Sequence, residues 1–596
     1  MSEPTLRVKG LAVTTGAGDG ERRLLDGISF TLERGGSIGL VGSSGAGKST
    51  LGLALMRLLP DGILRVAGAD VSLDGIDLLA LREPEMRALR GRRIAMIFQE
   101  PMQALNPSMS AADHLMESLI VHRIAHGSEA HERAVAMLDR VGIANARRAA
   151  SMFPHEFSGG MRQRLLVASA LLLAPDLLIA DEPTTALDPT VQAQVLDLID
   201  SMRRESGSAL ILISHDLDVV GERCDRLIVM DEGRIVEQGP AREVIEQPRA
   251  SATRRLAGAR LLRGVGTPVE RTGEGTPLLD ISDLTVRYPL RRPLDRRGAL
   301  HAVESVSLRI ARGEALGLVG ESGCGKSSLA HAILRLVPVH GGAVRFDGED
   351  LLALRGESLR RMRRRIQLVP QDAGASLTPQ MTIIDAVTEG MEVHGIARGH
   401  EARVRALALL DEMGLPARAA AAYPRELSAG ERQRASIARA LSTGPDLLIC
   451  DEPVASVDAP VRAMLLDLLD RLRRERGLSL LFISHDLAAV GRIASRIAVM
   501  YLGRIVELGT SAHVLAHARM PYTQALLSAV PTGDPATSAR RIVLTGELPS
   551  SFEPVAGCAF YPRCQQPSKD AECVGARPPL TASNGDGHVA ACWKQV

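Results

Sequence analysis

The 596-residue sequence has almost no net charge, no long apolar run and no apolar leader segment. Lys and Arg total 71, and Asp and Glu total 70. Proteins that coat nucleic acid usually carry a strong basic excess, so this balance argues against that class. Apolar residues make up 45% and charged residues 24%, which is an ordinary globular balance. The length predicts two or more domains.

A membrane-spanning segment is also missing from the sequence. The most apolar stretch, Leu165 to Ala180, is interrupted by Ser169, Pro175 and Asp176. A spanning helix needs about 20 mostly apolar residues, and the opening MSEPTLRVKG lacks the apolar core of a signal peptide. We therefore expect a protein that stays in the cytoplasm and relies on another chain for any membrane part.

An internal duplication dominates what is present. GSSGAGKST at 42–50 recurs as GESGCGKSS at 320–328, and FSGGMRQR at 157–164 recurs as LSAGERQR at 427–434. LLIADEP at 177–183 recurs as LLICDEP at 447–453, and ISHDL at 213–217 recurs at 483–487. A repeat of such long period predicts two copies of one domain. We place the domains at 1–261 and 278–530, a Gly-, Thr- and Pro-rich linker at 262–277, and a tail at 531–596.

The first repeated motif predicts a phosphate-binding loop. SIGLVG at 37–42 is an apolar strand pattern, and a helical pattern runs from Lys48 through Leu59. Glycines between them let backbone amides turn inward around phosphates, while Lys48 reaches the β- and γ-phosphates and Ser49 ligates Mg²⁺. Lys326 and Ser327 repeat these roles. The candidate binding residues are Gly42, Ser43, Ser44, Gly45, Ala46, Gly47, Lys48, Ser49 and Thr50, then Gly320, Glu321, Ser322, Gly323, Cys324, Gly325, Lys326, Ser327 and Ser328.

Two acidic residues end each of the buried strand patterns LLIAD and LLICD. Asp181 and Asp451 are predicted to hold the Mg²⁺ shell, and Glu182 and Glu452 to orient and deprotonate the attacking water. The alternative is a structural role at a strand end, which the two phosphate loops make the weaker interpretation.

A histidine and a glutamine complete each predicted site. His215 and His485 follow apolar strands at the same distance from the glutamates, so we expect γ-phosphate contacts rather than helix caps or packing residues. Gln99 and Gln371 end the strand patterns IAMIFQ and IQLVPQ, and they are predicted to sense Mg²⁺ and water.

These motifs occur in the same order in both halves of the chain, and in that order they resemble the motifs of the ABC ATPase family. The resemblance implies an α/β fold with two P-loop ATPase domains in tandem plus a small cysteine-containing C-terminal tail. It also implies that a helix N-terminus from each domain faces the nucleotide on the other domain's loop. Ser158, Gly159 and Gly160 would complete the site on Lys326, and Ser428, Ala429 and Gly430 the site on Lys48. The segments around Asp188 and Asp458 would lie across the interface.

Two departures from the family pattern fall on one site. The second signature reads LSAGE, with Ala429 in place of a glycine. The family stacks an aromatic residue on adenine, and Tyr288 is the candidate in the second half, whereas Thr15 takes that place in the first. We therefore expect the site on Lys48 to bind ATP more weakly or to turn over more slowly.

The tail resembles the C-terminal extension of oligopeptide and dipeptide importer ATPases. PYTQALLSAVP at 521–531, GELPS at 546–550 and GCAFYPRC at 557–564 carry this resemblance, with ALNPSMS at 104–110 and SLTPQMT at 376–382. Cys558, Cys564, Cys573 and Cys592 are candidate ligands for a [4Fe–4S] cluster, which some members of this subfamily carry. Zinc and free thiols are the alternatives, and His588 is a candidate substitute ligand.

The resemblance implies a transport motor. ATP would close the two domains and move two separate permease subunits at the inner membrane, and an extracytoplasmic binding protein would deliver short peptides, glutathione or nickel chelates. A soluble twin-ABC factor acting on ribosomes or nucleic acid is the alternative, and a regulatory ATPase is a third. The arginine run at 360–365 has a counterpart at 87–93, which favours a structural face over a nucleic-acid or lipid contact.

Overall fold

The computed structural model describes residues 4–15, 22–60, 64–99, 101–184, 187–261, 276–289, 299–455, 457–534, 541–544, 556–582 and 587–595. The predicted linker therefore lies outside the described residues except for 276–277, and GELPS at 546–550 lies outside them entirely. No helix in the described ranges is long and apolar enough to cross a membrane.

The first domain contains eleven strands and eleven α-helices within its described residues. The strands are β1 (Leu6–Thr15), β2 (Arg22–Leu32), β3 (Ser37–Gly42), β4 (Leu64–Ala67), β5 (Asp70–Leu73), β6 (Ile76–Asp77), β7 (Ile94–Ile97), β8 (Leu177–Asp181), β9 (Ala209–Ile213), β10 (Arg226–Asp231) and β11 (Arg234–Pro240). The helices are α1 (Lys48–Leu55), α2 (Glu83–Leu89), α3 (Pro101–Ala104), α4 (Ala111–Val121), α5 (Gly127–Arg140), α6 (Ala146–Ala149), α7 (Gly159–Leu171), α8 (Pro189–Ser206), α9 (Leu217–Arg223), α10 (Ala241–Glu246) and α11 (Ser251–Leu261).

The second domain repeats this order. Its strands are β12 (Leu279–Pro289), β13 (Ala299–Ile310), β14 (Ala315–Val319), β15 (Gly341–Phe346), β16 (Glu349–Asp350), β17 (Ile366–Val369), β18 (Leu447–Asp451), β19 (Ser479–Ile483), β20 (Arg496–Tyr501) and β21 (Arg504–Thr510). Its helices are α12 (Lys326–Ile333), α13 (Gly356–Arg365), α14 (Ala373–Ser376), α15 (Ile383–Val393), α16 (Gly399–Glu412), α17 (Ala429–Leu441), α18 (Ala459–Arg476), α19 (Leu487–Ile493), α20 (Ser511–Ala516) and α21 (Pro521–Ser528).

Each domain is built on a mostly parallel sheet with the phosphate-loop strand in its interior. The order is β11-β10-β3-β9-β8-β7 in the first domain, and the second begins β17-β18-β19-β14-β20-β21. Strands β3, β8 and β9 are buried at every position, as expected for strands covered on both faces. The first domain has a hydrophobic core on each face of this sheet. On one face the sheet packs against an antiparallel sheet of order β2-β1-β5-β6, and on the other face it packs against helices.

The tail joins the second domain rather than forming a separate body. Its described elements are the short helix α22 (Ala571–Gly575) and the strands β22 (Thr581–Ala582) and β23 (Val589–Ala590). Strand β23 pairs with β21, so the tail extends the central sheet of the second domain by two strands. The two domains touch as well, since α11 contacts α18 and α21 contacts α8.

Two candidate nucleotide sites

The phosphate loops have the predicted strand–loop–helix context. Helix α1 begins at Lys48 and α12 at Lys326, and the preceding Gly47 and Gly325 have φ of 93° and 109°. A Cβ at Gly325 would lie 2.0 Å from the carbonyl oxygen of Ala302, so only glycine fits there. Helix α1 ends at Leu55 rather than at the predicted Leu59, because Arg57 takes a left-handed conformation with φ of 51°.

Each loop lysine folds back over its own loop. Lys48 Nζ donates to the carbonyl oxygens of Gly42 and Ser43 at 2.8 and 2.9 Å. Lys326 Nζ donates to those of Gly320 and Glu321 at 2.7 and 2.9 Å. Both ammonium groups are therefore held at the loops' interior, where the motif predicts the phosphates.

The aspartates that end β8 and β18 fit a Mg²⁺ site. Asp181 shares a hydrogen bond with Ser49, and Asp451 shares one with Ser327. Burial raises the pKa of both carboxyls. Oδ1 of each aspartate is buried and has no hydrogen-bond partner among the described residues. A hydroxyl and an unsatisfied carboxylate oxygen side by side are the oxygen donors that Mg²⁺ prefers.

The neighbouring glutamates, Glu182 and Glu452, each contact a glutamine and a histidine in the same way. Gln99 Nε2 donates to Glu182 Oε2 at 3.0 Å, and His215 Nδ1 lies 3.2 Å from Oε1. In the second domain, Gln371 Nε2 lies 3.1 Å from Glu452 Oε2, and His485 Nδ1 lies 3.2 Å from Oε1.

Both glutamates also hold a left-handed backbone conformation, with φ of 45° at Glu182 and 50° at Glu452. Such strain at a non-glycine residue is typical of functional sites. Burial alone would raise the pKa of Glu452, but the hydrogen bond and charge of His485 lower it overall. Burial alone would lower the pKa of His485, but its hydrogen bond to Glu452 raises it overall.

Two aspartates bridge the domains at these sites, as the resemblance implied. Asp458 Oδ2 accepts from the Ser44 backbone amide at 3.2 Å, and Asp188 Oδ2 accepts from that of Ser322 at 3.4 Å. The other carboxylate oxygen of each aspartate caps its own helix, α18 or α8. One carboxylate thus fixes a helix start in one domain to the phosphate loop of the other.

The signature residues start the helices α7 and α17. The Ser158 and Ser428 hydroxyls each accept a hydrogen bond from the backbone amide three residues on, at 3.3 Å. In the second signature, the Glu431 carboxylate accepts a hydrogen bond from the Ser428 amide at 2.8 Å, which completes a capping box. A Cβ at Gly159 would meet its nearest atom at 3.9 Å, so the methyl of the equivalent Ala429 causes no strain within the chain. That these helices face the opposite nucleotide stays a prediction.

Tyr288 lies beside the second phosphate loop. Its hydroxyl donates to Ser328 Oγ at 3.3 Å, and its ring packs against the second domain's core. Strand pairing confirms the alignment with Thr15: Leu6 pairs with Leu32 and Leu279 with Ile310, which sets the two strands in the same register. Stacking on adenine stays a prediction.

Two residues that contact the second loop were not found from the sequence. Arg563 of the tail pairs with the Glu321 carboxylate at 2.7 and 2.9 Å, and the Tyr522 hydroxyl accepts from the Glu321 backbone amide at 2.8 Å. The only signal was the position of Arg563 inside the cysteine-rich segment FYPRC.

The four tail cysteines line one small cavity together with Phe560 and Trp593. Burial raises the pKa of Cys558 to about 11, and the other three thiols add to the rise. Within the described ranges, no group of three or more His, Cys, Asp or Glu side chains is arranged to hold a metal ion. His588 is not among the residues that line this cavity, and its Nε2 lies 2.8 Å from Glu507 Oε1. Its role as a substitute ligand stays a prediction.

Known families and proteins match both domains and the tail. The family described as ABC transporter matches residues 25–185 and 303–455, and the Oligopeptide/dipeptide transporter, C-terminal region, matches 506–573. The glutathione import ATP-binding protein GsiA of Escherichia coli O157:H7 is 42% identical over 88% of this chain and 89% of its own length. The protein of the same name from Pectobacterium atrosepticum is 41% identical over 89% of this chain and 90% of its own.

Proposed function

This chain belongs to the ABC transporter family as an ATPase with two cassettes, and we propose that it drives uptake of short peptides or glutathione through separate permease subunits. The relatives named above are glutathione import proteins, and the tail matches an oligopeptide/dipeptide transporter region. In this proposal the chain sits on the cytoplasmic face of the inner membrane, beneath two permeases that receive substrate from a binding protein.

The bridging contacts of Asp188 and Asp458 are the observation that carries the motor part of this proposal. Each carboxylate crosses to the other domain's phosphate loop, at 3.4 and 3.2 Å. When ATP binds at one site and the two domains close, the change at that site therefore alters the position of the other domain. Such coupling is needed to convert binding energy into movement. A single cassette that hydrolysed ATP by itself would not require this pairing.

The residues around each phosphate loop divide the work of hydrolysis. Lys48 and Lys326 bind the β- and γ-phosphates, and the loop amides surround them. Ser49 with Asp181, and Ser327 with Asp451, would hold Mg²⁺, which would supply positive charge beside the phosphates. Glu182 and Glu452 take a proton from the attacking water.

The glutamine and histidine partners keep each base in place. Gln99 and His215 occupy both oxygens of Glu182, and Gln371 and His485 occupy those of Glu452. Because both oxygens are held, the carboxylate has one orientation when water arrives, which reduces the entropy lost in reaching the transition state.

Matched apolar residues support docking of two membrane subunits. Leu58 and its counterpart Leu336 are 40% and 56% exposed, and Val121 and its counterpart Val393 are 62% and 51% exposed. Repeated exposed apolar side chains at equivalent places indicate a contact surface rather than chance exposure. The Arg363 guanidinium donates to the carbonyl oxygens of the turn before Leu336, so α13 supports one end of this surface.

The soluble-factor alternative is not favoured. The arginines at 363–365 donate to Leu334, Arg335 and Thr443 carbonyl oxygens and to the Asp446 and Asp347 carboxylates. A basic run whose N–H donors are used inside the fold has few donors left for the oxygens of a phosphate backbone. This supports the structural interpretation of the run.

Charging the docking surface tests the proposal. We expect the chain carrying Val121→Asp and Val393→Asp to lose co-purification with permeases from membranes and to lose at least about tenfold in uptake of glutathione or dipeptides. Basal ATPase of the purified chain should stay within about twofold, since surface changes away from a site rarely alter it.

Val236→Asp is the matched control for this experiment, because Val236 is 41% exposed on the edge strand β11. The control should co-purify and support uptake normally. Unchanged uptake by the doubly charged variant, or recovery of the unsubstituted chain only with polysomes or nucleic acid, would contradict the proposed function.

We also propose that Cys558, Cys564, Cys573 and Cys592 hold a [4Fe–4S] cluster. The support is that these four thiols line one cavity, with no imidazole or carboxylate among the lining residues, and thiolates are the usual ligands of such clusters. The cluster would fasten four points of the tail together. Zinc in tetrahedral coordination by the same four thiolates is the alternative.

Metal analysis after anaerobic purification decides between these states. We expect about four iron and four sulfide per chain, and loss of both in Cys564→Ala. Cys224→Ala, at a buried cysteine of the first domain, should keep them. Equimolar zinc without sulfide, or four titratable free thiols, would contradict the cluster.

A further inference from the structure

A buried ion pair joins the tail to the second phosphate loop. The Arg563 guanidinium meets both oxygens of Glu321 at 2.7 and 2.9 Å. The two side chains are only 5% and 3% exposed. Removing one partner of such a pair leaves an uncompensated buried charge, which is strongly unfavourable. In this case the orphaned charge would be a carboxylate in the loop that receives the phosphates.

The same carboxylate is also bound by the first domain. Thr190 Oγ1 lies 2.7 Å from Glu321 Oε1 and 2.6 Å from Oδ1 of the bridging Asp188, so its single hydroxyl proton is shared between the two carboxylates. Thr190 lies in the first turn of α8, two residues after Asp188. Glu321 therefore connects three parts of the chain: the tail through Arg563, the first domain through Thr190, and its own loop. The hydroxyl of Tyr522, which accepts from the Glu321 amide, fixes the backbone at this point.

The first site has no equivalent of this arrangement. Ser43 stands where the second loop has Glu321, and Pro460 stands where the first domain has Thr190. Ser43 Oγ lies 3.5 Å from Asp231 of its own domain instead. The connection through a buried carboxylate is therefore particular to the site on Lys326.

Apart from the contact of Arg563 with the second phosphate loop, the tail also contacts the first domain directly. Arg541 pairs with Glu222, and both side chains are almost fully buried. The Thr532 backbone amide donates to Glu222 at 2.7 Å, and Gln194 of α8 donates to the Leu544 carbonyl oxygen at 2.8 Å. The segment before the cysteines thus rests on the first domain, so the position of Arg563 depends on both domains.

We propose that Arg563 is a positioning residue for the ATP site built on Lys326. It neutralises Glu321 and holds the loop against Thr190, so that the tail sets ATP affinity at this site and leaves the site on Lys48 unaffected. The inference rests on the proposed function only in that the phosphate loops bind ATP. Without Arg563, the Glu321 carboxylate repels the incoming phosphates in a region of low dielectric.

Site-resolved ATP binding tests this proposal. The chain carrying Glu182→Gln and Glu452→Gln, which should bind ATP without consuming it, is titrated with 8-azido-ATP and Mg²⁺ and then photolabelled. A protease site placed in the linker at 262–275 separates the labelled halves. We expect Arg563→Ala to raise the concentration that half-labels the second half about tenfold, and to change that of the first half by less than about twofold.

A second substitution separates positioning from general packing. Adding Glu321→Ser, the residue type of the first loop, to Arg563→Ala removes the orphaned charge and should return the half-labelling concentration to within about twofold of the starting value. Arg577→Ala is the control, because Arg577 is another tail arginine, paired with Glu304 of β13 at 2.9 Å. It should change neither half.

The variants also cover the case in which Arg563→Ala does not fold. Arg563→Lys keeps the charge and should raise the half-labelling concentration of the second half by less than about threefold, and Glu321→Ser alone should not raise it. Unchanged labelling in Arg563→Ala, an equal loss in both halves, or no restoration by Glu321→Ser would overturn the proposal. If the proposed role in uptake is wrong, the uptake assay will show it and this labelling will be unaffected. The two proposals can therefore be contradicted independently.

Discussion

Replacing both Glu182 and Glu452 by glutamine is expected to lower ATP hydrolysis about a thousandfold while leaving ATP binding intact. Glutamine keeps the shape of the side chain but cannot accept a proton from water, and general base catalysis contributes about 10²- to 10⁴-fold. The hydrogen bonds of Lys48 and Lys326 go to carbonyl oxygens of their own loops and not to these carboxylates, so we expect the lysines to stay in place. ATP hydrolysis and ATP binding by the purified chain are the measurements.

A matched control separates chemistry from backbone strain. Glu232 is an exposed glutamate with φ of 46°, close to the 45° of Glu182, in the turn between β10 and β11. Glu232→Gln should leave hydrolysis unchanged. If the double variant kept more than about a tenth of the activity, the two glutamates would not be the bases.

The single variants test whether the two sites are equal. Glu452→Gln should cost more activity than Glu182→Gln, because the site on Lys48 lacks an aromatic counterpart of Tyr288 and the site on Lys326 has the additional support of Arg563. The methyl of Ala429 causes no strain within the chain, so any effect of this residue on the first site would come from its contact with the nucleotide. Equal losses would remove the asymmetry.

The sequence predicted where the motif residues of each domain lie, because these motifs are local. A lysine at a helix start and two acids at a strand end are set by a few neighbouring residues, and the structure places them as expected. The bridging role of Asp188 and Asp458 followed from the family resemblance and is confirmed.

Long-range pairs were beyond the sequence. Arg563 and Glu321 are 242 positions apart, and no spacing rule connects them. The contact of His588 Nε2 with Glu507 Oε1 of β21, at 2.8 Å, likewise depends on the added strand β23 and follows from no sequence pattern. Strands that join an existing sheet edge depend on tertiary packing, which a propensity argument does not contain.

The end of the first phosphate-loop helix shows a similar limit. The apolar pattern continues to Leu59, yet the helix stops at Leu55 because the Leu58 amide turns back to the Leu53 carbonyl oxygen and Arg57 becomes left-handed. A left-handed residue near a helix end is usually a glycine. The arginine at position 57 therefore did not indicate that the helix ends there.

Each ATP in this account is held by a phosphate loop of one domain and a signature helix of the other. Replacing Ser158 and Ser428 together by tryptophan should therefore lower ATP hydrolysis at least about a hundredfold, because the bulk displaces both helix starts from the phosphates. Ser110→Trp is the matched control, since Ser110 also caps a helix, α4, by accepting from the Asp113 amide at 3.2 Å. It should keep hydrolysis near normal, because a lost cap costs only about 1 kcal/mol.

ATP hydrolysis by the purified Ser158→Trp, Ser428→Trp chain is thus the decisive measurement. We expect a rate near background in a folded protein that still binds ATP to its phosphate loops. Hydrolysis at the unsubstituted rate would show that neither helix touches the nucleotide, and would contradict the shared sites.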